Sequence, residues 1–236
     1  MIPDMRGWLL GAVGTVAILV PSVGFAQAAE EVPAISVAYN AALVSDYRFR
    51  GISYTSRHPA VQVGADLAFR SGWFVGTWTT NVSDYGGSNV EVDLYGGYAG
   101  SLAGFAYSGT VYTYVYPGGT DTDYFELQST VARTVGPVTA TLTLAYTPDQ
   151  WNTDRDNFYA AIGTDVALGR TPFTASFSLG RENGSYDHKW DWSAGLTCKL
   201  DALDISATYV DSNYKGALEA GRNARAGILL SAKASF

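Results

Sequence analysis

The stretch that decides the fold is Arg225-Ala226-Gly227-Ile228-Leu229-Leu230-Ser231-Ala232-Lys233-Ala234-Ser235-Phe236. Every second residue counted back from Phe236 is apolar, and the residues between them are mostly small or polar. A period of two predicts a β-strand with one apolar and one polar face. A strand that ends on an aromatic residue is typical of the closing strand of a bacterial outer-membrane barrel, which pairs with the first strand and leaves no free edge in lipid.

The beginning of the sequence has the layout of a secretory signal. Arg6 lies in a short polar segment, residues 9–20 are apolar or Gly/Thr, and Ala26-Gln27-Ala28 resembles a cleavage site. The apolar run is shorter than the ~20 residues that a transmembrane helix needs. We therefore predict a cleavable signal peptide over residues 1–28 and a single barrel domain over residues 29–236.

The composition disfavours several classes of function. A net charge of −7 disfavours nucleic acid as a partner. The single cysteine, Cys198, rules out an internal disulfide and a cysteine metal cluster. The 16 Tyr, 6 Trp and 26 Gly suit a membrane barrel with aromatic girdles at both interfaces.

Segments with a period of two recur along the whole chain and predict about twelve antiparallel strands. They are residues 34–45, 59–70, 73–82, 89–99, 104–116, 123–133, 138–147, 157–168, 172–181, 190–200, 203–211 and 224–236. Long polar connections are expected at 46–58, 83–88, 117–122, 148–156, 182–189 and 212–223, and tight turns at 71–72, 100–103, 134–137, 169–171 and 201–202. Long loops on one side and short turns on the other are the arrangement of an outer-membrane barrel, with both termini in the periplasm.

The alternation also predicts which face of each strand meets lipid. In segment 190–200, Trp190 and Leu196 share one face, whereas Asp191 and Thr197 share the other. A charged side chain on the lipid face costs ~2–4 kcal/mol near the midplane, so the charged faces should point inward. A soluble sandwich or lipocalin-like barrel would need a densely charged outside, but only 16% of the residues are charged.

Parity then gives the residues that should line the lumen. They are Asp66, Glu91, Asp93, Glu126, Asp165, Asp191, Lys199, Arg225 and Lys233. Six acids against three bases predict a negatively biased, water-filled pore that favours cations. A plugged, salt-bridged interior is the alternative, because twelve strands lie between small filled barrels and wide porins.

A second candidate site lies at the top of the first hairpin. Two arginines flank an aromatic residue in Asp46-Tyr47-Arg48-Phe49-Arg50, and we assign Asp46, Arg48 and Arg50 to the pore mouth. In one interpretation this loop folds inward as a constriction, with Asp46 paired to an arginine. In the other, the aromatic residues anchor the membrane interface and Arg50 caps a turn.

Residues with catalytic or metal-binding potential are few. Both histidines, His58 and His188, lie in predicted loops, and a Ser-His-Asp hydrolase would have to start from His188 and neighbouring Asp187. Three acids of one loop lack the regular spacing of a calcium site: Asp149, Asp154 and Asp156. We predict no catalytic residue, no metal and no cofactor.

The run Ser45-Asp46-Tyr47-Arg48-Phe49-Arg50-Gly51-Ile52-Ser53 resembles the opening signature of the TorF family of porin-like proteins from proteobacteria. Further matching pieces follow in order: Pro59-Ala60-Val61-Gln62, Ser71-Gly72-Trp73-Phe74-Val75-Gly76 with Asn81-Val82, and Glu91-Val92-Asp93-Leu94-Tyr95-Gly96-Gly97-Tyr98. The resemblance continues more loosely to the C-terminus. It implies an outer-membrane barrel with a channel role, and it brings no established substrate and no catalytic residues.

The sequence therefore predicts a channel in the bacterial outer membrane for passive diffusion of small hydrophilic solutes or ions, with a cation preference and no catalysis. Its expected partners are outer-membrane lipid, the diffusing solutes and, through Phe236, the barrel-assembly machinery. A non-conducting structural or adhesive barrel and a lipid or peptide hydrolase are the alternatives. The oligomeric state is not determined by strand periodicity.

Overall fold

The computed structural model describes residues 34–152, 155–186, 188–215 and 222–236. The predicted signal peptide, Asp154 and Asp187 lie outside these residues. Within them, no helix is long and apolar enough to cross a membrane.

Twelve strands in the described part of the chain form a closed antiparallel barrel, which confirms the predicted fold class. A small additional hairpin, β2–β3, stands apart from the barrel sheet. The strands are β1 (Ile35–Val44), β2 (Arg48–Phe49), β3 (Ile52–Ser53), β4 (Ala60–Phe69), β5 (Trp73–Tyr85), β6 (Ser88–Leu102), β7 (Phe105–Val115), β8 (Tyr124–Val135), β9 (Val138–Thr147), β10 (Asn157–Ala167), β11 (Phe173–Asn183), β12 (Lys189–Leu200), β13 (Leu203–Ser212) and β14 (Gly227–Ser235).

The barrel closes where its last strand pairs with its first. The register of β14 on β1 runs from Asn40 opposite Ser235 to Val44 opposite Ser231. Beyond the strand, the amide of Phe236 donates to the carbonyl of Tyr39 at 2.9 Å. All backbone groups along this seam are thereby paired within the protein, as a lipid environment requires.

The connections divide the barrel into a loop end, which carries the segment between β1 and β4, and a turn end, which carries Phe236. The predicted loop 83–88 is in fact a two-residue turn at the loop end. Gly86 and Gly87 form it with φ of +59° and +99°, values that glycine adopts without steric cost. Strands β5 and β6 therefore run further than the alternation predicted.

The outer surface of the barrel is apolar. Large side chains point away from the interior and stay uncovered by protein, such as Ile228 at 72%, Leu43 at 59% and Val61 at 60% exposure. Charged residues at the alternate positions of the strands point inward, as Asp66 and Asp191 do at 7% exposure. An apolar outside with a polar inside is the arrangement of a lipid-embedded, outer-membrane β-barrel rather than of a soluble one.

The loop after β1 folds back into the barrel instead of standing above it. We call residues 46–55, which contain β2 and β3, the inward hairpin. Its side chains are buried at the loop end, with Arg48, Ile52 and Thr55 each 1% exposed. Backbone hydrogen bonds close the hairpin, including the amide of Tyr54 to the carbonyl of Tyr47 at 2.9 Å. The sequence pattern did not predict these two short strands.

Candidate functional site: the lumen and its inward hairpin

One carboxylate holds the two arms of the inward hairpin together. Asp46 accepts hydrogen bonds from Arg48 Nε at 2.7 Å, from Ser53 Oγ at 2.5 Å and from Thr55 Oγ1 at 3.1 Å. A charge-assisted network of this kind fixes geometry as well as contributing energy. The inward interpretation of the loop, with Asp46 paired to an arginine, therefore describes the structure.

The first arm of the hairpin is anchored at two places on the barrel. Arg48 Nη1 donates to the carbonyl of Arg225 at 2.6 Å, beside β14. At the second place, Tyr47 Oη donates to Glu91 Oε1 of β6 at 2.9 Å. Tyr116 Oη donates to the second oxygen of Glu91 at 3.0 Å, so this buried carboxylate is held on both sides.

The tip of the hairpin carries Arg50 across the lumen. Arg50 Nη2 lies 2.7 Å from both carboxylate oxygens of Glu126 on β8, and Nη1 lies 2.8 Å from Glu182 Oε1 on β11. The Nζ of Lys189 on β12 pairs with the other oxygen of Glu182. The guanidinium also faces the ring of Tyr159 on β10, 4.2 Å from its centroid. We call these five residues the guanidinium cluster.

Electrostatics keep Arg50 charged in this buried position. Burial alone lowers the pKa of Arg50, but the negative charges of Glu126 and Glu182 outweigh it and raise the pKa well above its ordinary value. The tip is therefore a permanent cation held by fixed anions.

A glycine makes room for the ring in the guanidinium cluster. A Cβ at Gly180 on β11 would collide with the ring and hydroxyl of Tyr159. Without one, Tyr159 leans across the neighbouring strand and donates its hydroxyl to Asp191 Oδ1 at 3.1 Å. Gly180 thus sets the position of the aromatic face against which Arg50 packs.

Tyrosines fill one side of the lumen. Strand β7 and the residue after it supply Tyr112, Tyr114 and Tyr116, each at most 2% exposed, while Val111 points outward at 49%. Tyr95 and Tyr124 join this aromatic wall through ring contacts, with Tyr112–Tyr95 centroids 5.2 Å apart. The composition suggested a girdle role for tyrosine, and these tyrosines instead belong to the interior.

The opposite side of the lumen is lined by small hydroxyl residues. This side belongs to the half of the lumen that lies nearer the turn end. There, inward-facing residues of β9 to β13 alternate along each strand with exposed apolar residues. We call this side the hydroxyl wall. Its members are Thr139, Thr141, Thr143, Thr174, Ser176, Ser178, Ser193, Thr197, Ser206 and Thr208.

The structure places most of the predicted lumen residues on inward faces and brings several together. Glu91, Asp93 and Glu126 are at most 1% exposed, and Asp66 accepts from Tyr95 Oη at 2.6 Å. Three further inward charges are half-buried or buried, and the fourth, Lys199, is exposed near the turn end; the three are Asp165, Asp191 and Lys233. Lys199 lies on the same side as Asp204, with Nζ 3.3 Å from Oδ1.

Arg225 is placed differently from its predicted position in the lumen. Strand β14 begins at Gly227, so Arg225 lies in the preceding loop, where its side chain is exposed. It contributes a backbone carbonyl to the hairpin through Arg48, at 2.6 Å. The parity rule fails at Arg225 because it holds only inside a strand.

Sequence reasoning missed three residues of the guanidinium cluster. Glu182 and Lys189 were assigned to a loop, but β11 reaches Asn183 and β12 starts at Lys189. Continuing the parity of Gly180 forward and of Asp191 backward by two residues would have turned both inward. Tyr159 has the same parity as Asp165 and was overlooked because only charged residues were considered.

The histidines occupy separate surface positions. His58 Nδ1 lies 3.2 Å from the carbonyl of Thr55, and His188 Nδ1 lies 3.3 Å from Arg181 Nη2. Among the described residues, no group of three or more His, Cys, Asp or Glu side chains is arranged to hold a metal ion.

Comparison with solved structures shows a shared fold at low sequence identity. The KdgM porin in complex with disordered oligogalacturonate superposes with a TM-score of 0.57 at 7% identity, covering 85% of this chain and 97% of that one. The NanC porin superposes with a TM-score of 0.55 at 10% identity, covering 85% and 99%. At these identities the likeness extends to the barrel architecture alone. A comparison with curated protein sequences finds no match.

The family comparison covers nearly all of the described barrel. Residues 28–234 match the model of Gcw_chp, a bacterial protein family of unknown function. With so much of the chain matched, the protein belongs to the Gcw_chp family.

Proposed function

We propose that this barrel is a channel of the bacterial outer membrane for passive diffusion of small hydrophilic solutes. The observation that carries the proposal is the hydroxyl wall. Its members on β9, β11, β12 and β13 are too small to fill a twelve-stranded lumen, and each presents a hydroxyl that can hydrogen-bond water. The resemblance to the TorF family and the porin fold of the neighbours support the same conclusion. The proposed function involves no catalytic step.

We further propose that the channel admits neutral and cationic solutes more readily than anions. Acids outnumber bases on the inward faces of the described strands. The acids are Asp66, Glu91, Asp93, Glu126, Asp165, Glu182, Asp191 and Asp204, and the bases are Lys189, Lys199 and Lys233, joined by Arg50 from the hairpin. An excess of acidic over basic side chains in a narrow lumen disfavours the passage of anions. The oligogalacturonate bound by the KdgM porin is a polyanion, and this lumen does not suit such a solute.

Single-channel recording tests the proposal directly. The refolded mature chain is inserted into a planar bilayer with a KCl gradient across it. Discrete conductance steps with a cation-selective reversal potential are the expected result. Steps with anion selectivity would retain the channel and refute the charge argument, and an inserted barrel without steps would refute the channel.

The inward hairpin favours a second candidate, a non-conducting structural or adhesive barrel. The hairpin bridges the lumen from β6 to β8 and β11 at the loop end, through Tyr47 and Arg50. A permanently fixed hairpin would close this end and leave the loops as the working surface. Recording the intact chain beside a hairpin-deleted variant separates the candidates, because a channel conducts with its hairpin present, whereas a permanently closed barrel conducts only after the deletion.

We also propose that Phe236 serves recognition by the barrel-assembly machinery. Its side chain is 76% exposed at the turn end, while its backbone amide completes the pairing with β1. The exposed ring adds little to the barrel itself, which leaves it accessible to an assembly factor.

A further inference from the structure

The guanidinium cluster combines a receptor that belongs to the barrel wall with an occupant that belongs to a loop. Glu126, Glu182 and Tyr159 project from β8, β11 and β10, which are parts of one continuous hydrogen-bonded sheet. Arg50 reaches them from the tip of the inward hairpin, which is not paired into that sheet. The occupant is therefore able to leave without any change in the wall that binds it.

The charges of the cluster define what else can bind there. With Arg50 in place, Glu126 and Glu182 are balanced by Arg50 and Lys189. When Arg50 leaves, two carboxylates face one lysine. A cationic group restores the balance, whereas a neutral or anionic group leaves a carboxylate uncompensated in a site that excludes water.

The geometry selects a guanidinium over other cations. Three short contacts run from two different nitrogens of Arg50 to two carboxylates, all between 2.7 and 2.8 Å. The ring of Tyr159 lies against the planar face of the group at 4.2 Å. A planar fork of five donors with an exposed π face satisfies both requirements, and a compact ammonium satisfies only the charge.

The backbone of the tip places Arg50 at the outermost point of the inward hairpin. Phe49 pairs with Ile52, so Arg50 and Gly51 are the two central residues of a tight turn, with φ of +48° and +87°. A two-residue hairpin turn of this kind requires positive φ at both central residues. The hairpin therefore presents the Arg50 side chain at its end, whatever that side chain contacts.

We propose that Glu126, Glu182 and Tyr159 form a binding site for solutes that carry a guanidinium group, occupied by Arg50 in the resting barrel. Such a solute exchanges with Arg50 and frees the tip of the inward hairpin from β8 and β11, while Tyr47 and Arg48 keep its base anchored. This inference rests on the proposed channel function and names a substrate class for it. The exchange breaks and forms only ion pairs and hydrogen bonds.

The test compares two probes that differ in one group. Arginine carries a guanidinium, and citrulline has the same chain length with a neutral ureido group in its place. In planar bilayers containing the refolded mature chain, millimolar arginine should raise the conductance, and citrulline should need at least about tenfold more for the same effect. Calorimetric titration of the detergent-solubilised barrel with the same two probes measures binding independently of conductance.

Three variants locate the effect. Glu126→Gln keeps the shape of the side chain and should abolish the arginine response, whereas Asp149→Asn removes an acid from the exposed loop before β10 and should retain it. Arg50→Ala empties the site without altering the wall and should bind guanidinium chloride but not urea at millimolar concentration. Heat-dependent gel mobility confirms that each variant is folded, and the Arg50→Ala measurement stands even where Glu126→Gln does not fold.

The outcomes separate this inference from the proposed function. A conducting barrel that responds equally to arginine and citrulline, or that keeps its arginine response in Glu126→Gln, overturns the guanidinium site alone. A barrel that binds arginine by calorimetry yet never conducts overturns the channel and leaves the site. A barrel that conducts in KCl, and whose conductance rises with arginine but not with citrulline, supports both.

Discussion

Arg50→Ala is the substitution whose consequence the structure defines most closely. It leaves Glu182 with Lys189 and with Asn157 Nδ2, which donates at 2.7 Å. Glu126 still accepts a hydrogen bond from the hydroxyl of Thr147 at 3.0 Å, which is its shortest remaining contact. The penalty therefore concentrates on one buried carboxylate that has lost its cationic partner.

The magnitude follows from the cost of an unpaired buried charge. Removing one partner of a buried ion pair destabilises a protein by ~3–5 kcal/mol. Glu126 still accepts a hydrogen bond from the hydroxyl of Thr147. We therefore expect Arg50→Ala to destabilise the hairpin inside the lumen by about 3 kcal/mol, the lower end of that range. That shifts the equilibrium between inserted and released hairpin by roughly a hundredfold. The barrel avoids most of the penalty by releasing the hairpin and admitting water to Glu126.

Two assays detect the release. Single-channel recordings of Arg50→Ala should show larger or longer openings than the unaltered chain. Urea unfolding in lipid vesicles, followed by tryptophan fluorescence, should show lower stability that is partly regained in Arg50→Ala/Glu126→Gln, because the second change removes the unpaired charge. Equal stability and equal conductance in the unaltered chain and both variants would refute the role assigned to this ion pair.

Further expectations concern selectivity, packing and assembly. Glu91→Gln combined with Asp93→Asn should reduce cation preference, measured as a smaller reversal potential, and unchanged selectivity would remove both residues from the filter. Gly180→Ala should lower the thermal unfolding midpoint by the equivalent of ~1–3 kcal/mol, because its Cβ meets the tyrosine ring that crosses it. Gly163→Ala, with no side chain nearby, is the matched control and should change it little. Deletion of Phe236 should lower the amount of assembled barrel in cells while refolding in detergent persists; impaired refolding would instead assign the ring a structural role.

Part of the site follows from the sequence alone. Parity points Asp66, Glu91, Asp93 and Glu126 inward, because a charge in lipid is costly at every position along a strand. This argument needs no knowledge of neighbours. It also fails predictably: Arg225 lies just outside its strand, where alternation no longer constrains it.

The pairings inside the lumen depend on closure of the barrel. Arg50 meets Glu126 across 76 positions of sequence and Glu182 across 132. No local pattern specifies which inward residues on distant strands come within reach of one loop. Ring closure sets that distance, and the fold of the hairpin sets the direction in which Arg50 points.

The sequence by itself thus predicted about twelve barrel strands, the face of each that meets lipid and the acidic character of the interior, because alternation and the cost of charge in lipid act residue by residue. Only the tertiary structure decided that residues 46–55 fold inward, that tyrosines fill one side, and that Arg50 occupies a carboxylate site. Those features arise from contacts between segments that closure of the barrel brings together.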